Sequence, residues 1–268
     1  MVKYRDHPHF KEILQQLGRA PFITNPSLEA RLLIEHSSAP NLQKNVERRL
    51  NGEPIAYIVG TKDFWKHTFK VNEHTLIPRP DSETLIEAVL KSFPDKKGPY
   101  RILDLGTGSG CLLLSLLDEY RNATGIGVDI SLPALEVARE NATALGLHRA
   151  RFIRGDWWEG VEGKYDIIIS NPPYIGYEEQ PVMAPETLSY EPEKALFAEE
   201  YGLADYKKIS SALAPHLTIG GAAFIELNAL KAKEIEAIFM AHNFHTTFYN
   251  DIEQRPRCLR VTLKTAAP

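Results

Sequence analysis

The chain is poor in cysteine, with two in 268 residues, Cys111 and Cys258, far apart in sequence. They give neither a disulfide framework nor the paired spacing of a metal site. They suit a reducing compartment, so a cytoplasmic location is expected. The nine histidines form no ligand cluster, and His7-Pro8-His9 reads as a solvated terminus, so no metal is expected. No apolar run approaches the length of a membrane span, which argues against a membrane partner. Met1 to Phe10 mixes acid and base without an apolar core, and no signal or transit peptide is expected. Positive charge is not in excess either. A net charge of −4 argues mildly against a protein that grips long nucleic acid by its phosphates. Internal repeats and low-complexity segments are absent. What is present is 43% hydrophobic content, enough for one large α/β domain plus a smaller unit.

The most informative stretch is Asn171-Pro172-Pro173-Tyr174. It follows Tyr165 to Ser170, a hydrophobic run that reads as a buried parallel strand. A ladder cannot continue through two prolines, so the strand ends at Asn171. The tetrapeptide then sits beyond the strand's carboxyl end, where open α/β sheets bind ligands. Pro172 holds Asn171 extended, and neither proline donates a hydrogen bond while their carbonyls still accept. The expected result is a stiff wall offering the Asn171 side-chain oxygen and the Pro172 carbonyl as acceptors, with the Tyr174 ring beside them. Such a wall suits a planar –NH2 group and could aim it at an electrophile. Taken alone, a proline-rich turn after a strand would explain it equally well.

Upstream residues change that balance. Arg101 to Leu105 reads as a strand, followed by Asp104-Leu105-Gly106-Thr107-Gly108-Ser109-Gly110 and a helix from Cys111 to Tyr120. The glycines permit a sharp turn and close approach to a ligand, and the strand–turn–helix context strengthens an otherwise weak signal. The next strand, Thr124 to Ile130, carries Asp129, placed where an acid can take both hydroxyls of a ribose. A helix from Leu132 to Leu145 follows, with Leu135, Ala138 and Ala142 on one face. The strand Ala150 to Ile153 leads to Asp156 and Trp157, an acid and an aromatic that can accept from an adenine amino group and cover its ring. Four consecutive strand ends thus carry polar or glycine chemistry, which a bland α/β scaffold would not need.

The remainder is read more coarsely. Residues 6 to about 52 form short helices, with Ser27 a candidate cap for the second and a third running from Asn41 to Leu50. Tyr57 to Gly60 and Phe64 to Val71 read as the two strands of a hairpin. Leu76 to Glu83 contains two prolines, and Asp81 or Ser82 can cap a helix from Glu83 to Ser92, making a rigid lip near the ligand. Ile175 to Ala198 is a long loop carrying Glu178, Glu179, Glu186, Glu191 and Glu193, of the kind that forms lids. Tyr201 to Leu217 is expected as one helix and Lys231 to His242 as another. Gly220-Gly221 is expected to turn into a strand from Ala222 to Leu227. His245 to Ile252 and Cys258 to Lys264 form a closing antiparallel pair. Arg255, Arg257 and Arg260 cluster there, most simply as a solvated hairpin.

In this order the motifs resemble the Rossmann-like S-adenosylmethionine-dependent methyltransferases that alkylate planar nitrogens. Arg49 to Gly60, then Phe64, Phe69 and Val71, then Ile77-Pro78-Arg79-Pro80-Asp81-Ser82-Glu83, more closely resemble the release-factor glutamine N5-methyltransferases (the PrmC/HemK family). The resemblance implies a Rossmann-like seven-stranded α/β methyltransferase domain over residues 77–268. A helical N-terminal domain over 1–53 and a linking β-hairpin over 54–76 complete the chain. It implies S-adenosylmethionine as cofactor and peptide chain release factors as protein substrate, with transfer to the amide N5 of glutamine in a Gly-Gly-Gln loop. Asp104, Gly106, Thr107, Gly108 and Gly110 would hold the methionine part, Asp129 the ribose, and Asp156 with Trp157 the adenine. Asn171 and Pro172 would accept the two amide hydrogens, with Pro173 and Tyr174 completing the substrate wall. A monomer without a stable nucleic-acid partner is expected. The chain departs from the family in Asp81-Ser82 where Glu-Thr is usual, in a trimmed stretch between His36 and Val46, and in Asn228 where glycine is more usual. Two other readings remain: a nucleic-acid exocyclic-amine (adenine N6) methyltransferase, and a non-catalytic cofactor-binding protein.

Overall fold

The computed structural model describes residues 4–264. Nine strands form among the described residues: β1 (Thr61–Phe64), β2 (His67–Lys70), β3 (Arg101–Leu105), β4 (Thr124–Asp129), β5 (Ala150–Arg154), β6 (Tyr165–Ser170), β7 (Leu217–Glu226), β8 (Phe244–Asn250) and β9 (Pro256–Leu263). β1 and β2 make an antiparallel hairpin, and the other seven make one sheet in the order β5-β4-β3-β6-β7-β9-β8. β5 through β7 run parallel, and β9 pairs antiparallel with both β7 and β8. This is the Rossmann-like methyltransferase sheet with flanking helices.

The central strands are apolar on both faces because both are covered. Successive residues alternate between two cores. Ile102, Ile167, Ile169, Ala222 and Phe224 pack under the helices Glu83–Ser92 and Cys111–Glu119. Leu103, Leu105, Ile168, Ala223 and Ile225 face the helices Ala204–Ser211 and Ala232–Ala241. Strand order reverses at β3, which has β4 on one side and β6 on the other. A crevice therefore opens at the carboxyl ends of β3 and β6, which carry the glycine-rich turn and Asn171.

A separate apolar cluster (Phe10, Ile13, Leu17, Leu33 and Val46 among others) joins the N-terminal helices Phe10–Leu17, Pro26–His36 and Ala39–Leu50. The cap of the second helix is Asn25 rather than Ser27: its side chain accepts from Leu28 N at 3.1 Å, and Pro26 takes the first helical position.

Other expectations are corrected. Tyr57 to Val59 is not a strand but belongs to a short helix, Ile55–Val59, stopped by Gly60 at φ 76°. Burial decides this, with Ile58 reaching the N-terminal core while Ala56 packs with Val71 and Ile77. The hairpin is correspondingly tighter and turns at Trp65, whose N–H donates to Glu83 (2.9 Å) and whose indole donates to Glu119 (2.9 Å). The single helix expected over 201–217 is three pieces, Glu199–Gly202, Ala204–Ser211 and Leu213–His216, the first strained by left-handed Glu200 and Tyr201. β7 begins at Leu217, so Gly220-Gly221 is an irregularity inside a strand, not a turn before it. A Cβ at Gly221 would lie 3.0 Å from the Tyr165 carbonyl, so this close strand approach requires glycine.

Arg257 is also not a solvated side chain. It pairs with Asp81 (2.8 Å) and reaches buried Asp251 (3.5 Å), and Arg255 pairs with Asp251 and Glu253.

One residue ties the hairpin to the glycine-rich turn. Asn141, buried in the helix Leu132–Ala144, accepts from Lys70 N (2.7 Å) and donates to Lys70 O (3.0 Å) and Ser109 O (2.9 Å). Asn141→Ala strands three backbone groups at once. The expected loss is about 2–4 kcal/mol of unfolding free energy, read by urea denaturation. A loss of only a few tenths would show that the bridge does not hold the hairpin.

Candidate active site

A cavity of about 790 Å³ lies over the carboxyl ends of β3, β4 and β6. Gly106, Thr107, Gly108, Asp129, Asp156, Trp157, Asn171 and Pro173 all border it. A smaller cavity of about 90 Å³ lies beside it, bordered by Pro172, Tyr174, Arg79 and again Asn171. Asp104 and Gly110 border neither of these cavities. Asp104 lies beneath the turn, and Gly110 packs on the next helix, where a Cβ would come within 3.3 Å of Ala138.

Backbone hydrogen bonds shape the glycine-rich turn. Gly106 and Thr107 both donate to Val128 O at 2.9 Å, which folds the turn back over β4. Gly108 N donates to Asp129 Oδ2 (2.8 Å), and Ser131 N donates to Oδ1 (2.9 Å). Asp129 is thereby fixed at the cavity wall with lone pairs to spare, though burial pushes its pKa up against these bonds. Gly106, at φ 74°, sits under the Trp157 ring, which a Cβ there would meet at 3.6 Å. Trp157 is itself left-handed (φ 52°) and is clamped by its indole N–H on Asp205 (3.1 Å), which also accepts from Lys208 (3.0 Å). Asp156 is exposed at the rim.

Asp104 is fully buried. Thr107 Oγ1 donates to its Oδ2 (2.7 Å), while Oδ1 has no partner among the described residues. Burial pushes its pKa up to about 7, and the nearby Asp129 charge adds to this. A carboxyl group with an unfilled acceptor beneath a ligand turn favours a cationic ligand above it.

At the wall, Asn171 Nδ2 donates to Ser82 Oγ (3.2 Å), and the Asn171 side-chain oxygen makes no hydrogen bond among the described residues. Ser82 and Asp81 make no side-chain cap bond to the helix Glu83–Ser92. Ser82 instead serves Asn171, and Asp81 serves Arg257. The tetrapeptide thus offers an unused amide oxygen next to two prolines that cannot donate. That arrangement can accept from a planar –NH2 group while rejecting a bare carbonyl.

The loop from Ile175 to Ala198 is pinned rather than free. Ile175 N donates to Leu196 O (3.1 Å), and Ala198 N donates to Ile175 O (2.9 Å). Three of its acids have close partners: Glu179 with Lys231 (2.6 Å), Glu186 with Arg49 (3.1 Å), and buried Glu191 with Arg79 and with Ile77 N (3.2 Å). Arg49 is buried and also holds Glu29 (2.6 Å), and Tyr190 donates to Asn51 O (3.3 Å). The loop is therefore bonded to the N-terminal helices and to the 76–82 segment.

Sequence reasoning missed Asn141, Glu226 and the role of Ser82. Asn141 left a signal, as a polar residue one turn from Ala138 on the face that packs inward. Ser82 and Glu226 left none, because their partners are distant in sequence.

Comparison with known proteins bears on the same residues. The methyltransferase small domain family matches residues 81–197. A release factor glutamine methyltransferase from Bradyrhizobium diazoefficiens is 40% identical over 215 residues, covering 79% of this chain and 72% of that one. A bifunctional methyltransferase from Rickettsia bellii is 38% identical over 93% of this chain and 53% of its own length. The chain thus spans about half the length of the bifunctional relatives it matches. The crystal structure of a methyltransferase from Pyrococcus furiosus superposes with a TM-score of 0.56 at 20% identity, over 82% of this chain and 98% of that one. Among the described residues, no helix is long and apolar enough to cross a membrane.

The raised carboxyl of Asp104 has a consequence for stability. Its folded-state pKa, about 7, lies above the ordinary value near 4, so the cofactor-free fold binds more protons than the unfolded chain between those limits. Its stabilising contribution is full below about pH 4 and is lost as pH rises through 7. Asp104→Asn should flatten the fall in urea-unfolding free energy from pH 5 to 8 by on the order of 1–3 kcal/mol. An unchanged slope would mean that Asp104 ionises freely in the fold.

Proposed function

This chain belongs to the release factor glutamine methyltransferases, and from that premise we propose that it methylates the side-chain amide N5 of the glutamine in the Gly-Gly-Gln loop of peptide chain release factors. The methyl donor is S-adenosylmethionine, which supplies an electrophilic methyl on a sulfonium centre. The observation that carries the reading is the position of Asn171. It borders both cavities, and its side-chain oxygen is unpaired within the described residues.

The residues fit the cofactor. The Gly106–Gly108 turn and Asp129 would hold its methionine and ribose parts, and Asp156 with Trp157 the adenine. The Asp104 carboxyl below, whose Oδ1 has no partner among the described residues, favours its positive charge. On the other side of the wall, Asn171 Oδ1 and the Pro172 carbonyl would accept the two N–H groups of the substrate amide, and Tyr174 would pack against it. An amide nitrogen is a poor nucleophile because its lone pair is delocalised. Two fixed acceptors increase charge on that nitrogen and hold it toward the larger cavity, so this chain contributes geometry and electrostatics. The N-terminal helices, bonded to the pinned loop through Arg49 and Tyr190, are the proposed docking surface for the release factor, in the cytoplasm and with a single chain as the acting unit.

Nucleic acid is the weaker reading. In the basic cluster that would grip phosphate (Arg255, Arg257 and Arg260), Arg255 and Arg257 are ion-paired, and the loop beside the cavities is acidic. Label transfer from S-adenosylmethionine, with release factor, DNA and RNA offered side by side and the product mapped by mass spectrometry, decides between them. One methyl on the Gly-Gly-Gln glutamine is the expected result, and label confined to nucleic acid would overturn the substrate.

Two substitutions separate binding from chemistry. Asn171→Ala should lower kcat by about 10²–10³-fold with cofactor affinity nearly unchanged, since it removes an acceptor used at the reacting nitrogen. Equal losses in both would remove that role. Asp129→Ala should weaken cofactor binding by roughly tenfold or more in calorimetry, and an unaltered Kd would contradict the ribose assignment.

A further inference from the structure

Glu226, the last residue of β7, is buried at 1% exposure, and its Oε2 has no hydrogen-bond partner among the described residues. Its carboxyl group faces the hydroxyls of Ser82 and Tyr174. Arg257 from β9 and Asp81 from the turn before the helix Glu83–Ser92 are the charged groups around it, of opposite sign. Tyr206 donates to the Glu226 backbone carbonyl (3.0 Å), which fixes the strand end without competing for the carboxyl.

This cluster answers a question that Asn171 raises. A carboxamide is nearly symmetric in shape, and a half-turn of its end group exchanges acceptor for donor. With Oδ1 toward the substrate, Asn171 accepts from an –NH2 group; with Nδ2 there, it repels one. Ser82 Oγ, the group on its other side, cannot choose between these states alone, because a free hydroxyl can accept from Nδ2 or donate to Oδ1. It chooses only when its single proton is committed elsewhere.

We propose that Glu226 is a positioning residue that takes the Ser82 proton and so forces Asn171 to present its oxygen to the substrate. Once ionised, as it is above about pH 7, the carboxylate offers only acceptors. With its proton on Glu226, Ser82 keeps lone pairs alone for Asn171, draws Nδ2 toward itself and leaves Oδ1 facing the cavities, as observed (Nδ2 to Oγ, 3.2 Å). The Tyr174 hydroxyl faces the same carboxyl, so one buried acid lies behind both the amide acceptor and the ring of the wall. This inference rests on the reading of Asn171 as the substrate's acceptor.

The isosteric change Glu226→Gln tests it. Tyr174 takes the new carbonyl, the new –NH2 turns to Ser82, and the Ser82 proton becomes free to go to Asn171. Glu226→Gln and Ser82→Ala should each lower kcat by about tenfold with cofactor Kd held within about twofold, while Ser82→Thr keeps near-normal turnover. The double variant should be no worse than either single change, because both act through one hydrogen bond. A second reading needs no turnover. In ¹⁵N-labelled protein the Asn171 side-chain NH2 pair, identified by its loss in Asn171→Asp, should be protected from exchange in the native chain and lose that protection in Glu226→Gln. Multiplicative losses in the double variant, or unchanged protection in Glu226→Gln, would overturn the relay. If Asn171→Ala kept full turnover, the acceptor reading itself would fail. If Asn171→Ala fell while Glu226→Gln and Ser82→Ala did not, only the relay would fail.

Discussion

The site depends on the parallel pairing of β3 with β6. Its register sets Leu105 opposite Ser170, so the glycine-rich turn and Asn171 leave neighbouring strand ends side by side. The fully buried Ser170 hydroxyl donates to Leu105 O (2.7 Å) and fastens the two ends where the ladder stops. Because side chains alternate along a strand, a slip of one residue would exchange the two apolar cores and turn Asp104 to the other face. The ligand crevice and the proline wall are thus two products of one pairing.

Around that fixed point, polar contacts between distant segments bring in the rest. Arg49 is buried with acids from two places, Glu29 in its own helical unit and Glu186 in the loop after Tyr174. Arg79 and Ile77 N share Glu191 from the same loop. A buried charge left without its partner is costly, so these pairs act as registry devices between the helical unit, the 76–82 segment and the loop. Through Arg79, one of these pairs also reaches the border of the smaller cavity.

Much of this was legible in the chain. The apolar runs of β3, β4 and β6, the double proline that ends β6, and acids at successive strand ends follow from local rules, and all lie where those rules put them. The failures share a cause. Tyr57-Ile58-Val59 is too short a run for periodicity to separate strand from helix, and contacts with two different apolar clusters decide it. Ser82 looked like a helix cap because serine before a helix usually is one, but Asn171 competes for its oxygen and wins. Asp104 and Gly110 belong to the motif, yet one lies under the turn and the other against a helix. Composition cannot distinguish lining a cavity from shaping it.

The two buried carboxyls at the sheet's working edge, Asp104 and Glu226, follow one logic. Each has an oxygen without a partner among the described residues, and burial pushes each pKa up to about 7. In a scaffold selected only for stability, both positions would be better apolar or fully hydrogen-bonded. Their placement marks where stability is given up. In the proposed function, Asp104 lies under the turn that would meet a cationic ligand, and Glu226 lies behind the residues that would meet an amide. The acceptors are held in place by the fold itself, through Thr107 for Asp104 and the strand end for Glu226. Preorganised polarity of this kind is what a reaction at a weakly nucleophilic nitrogen requires.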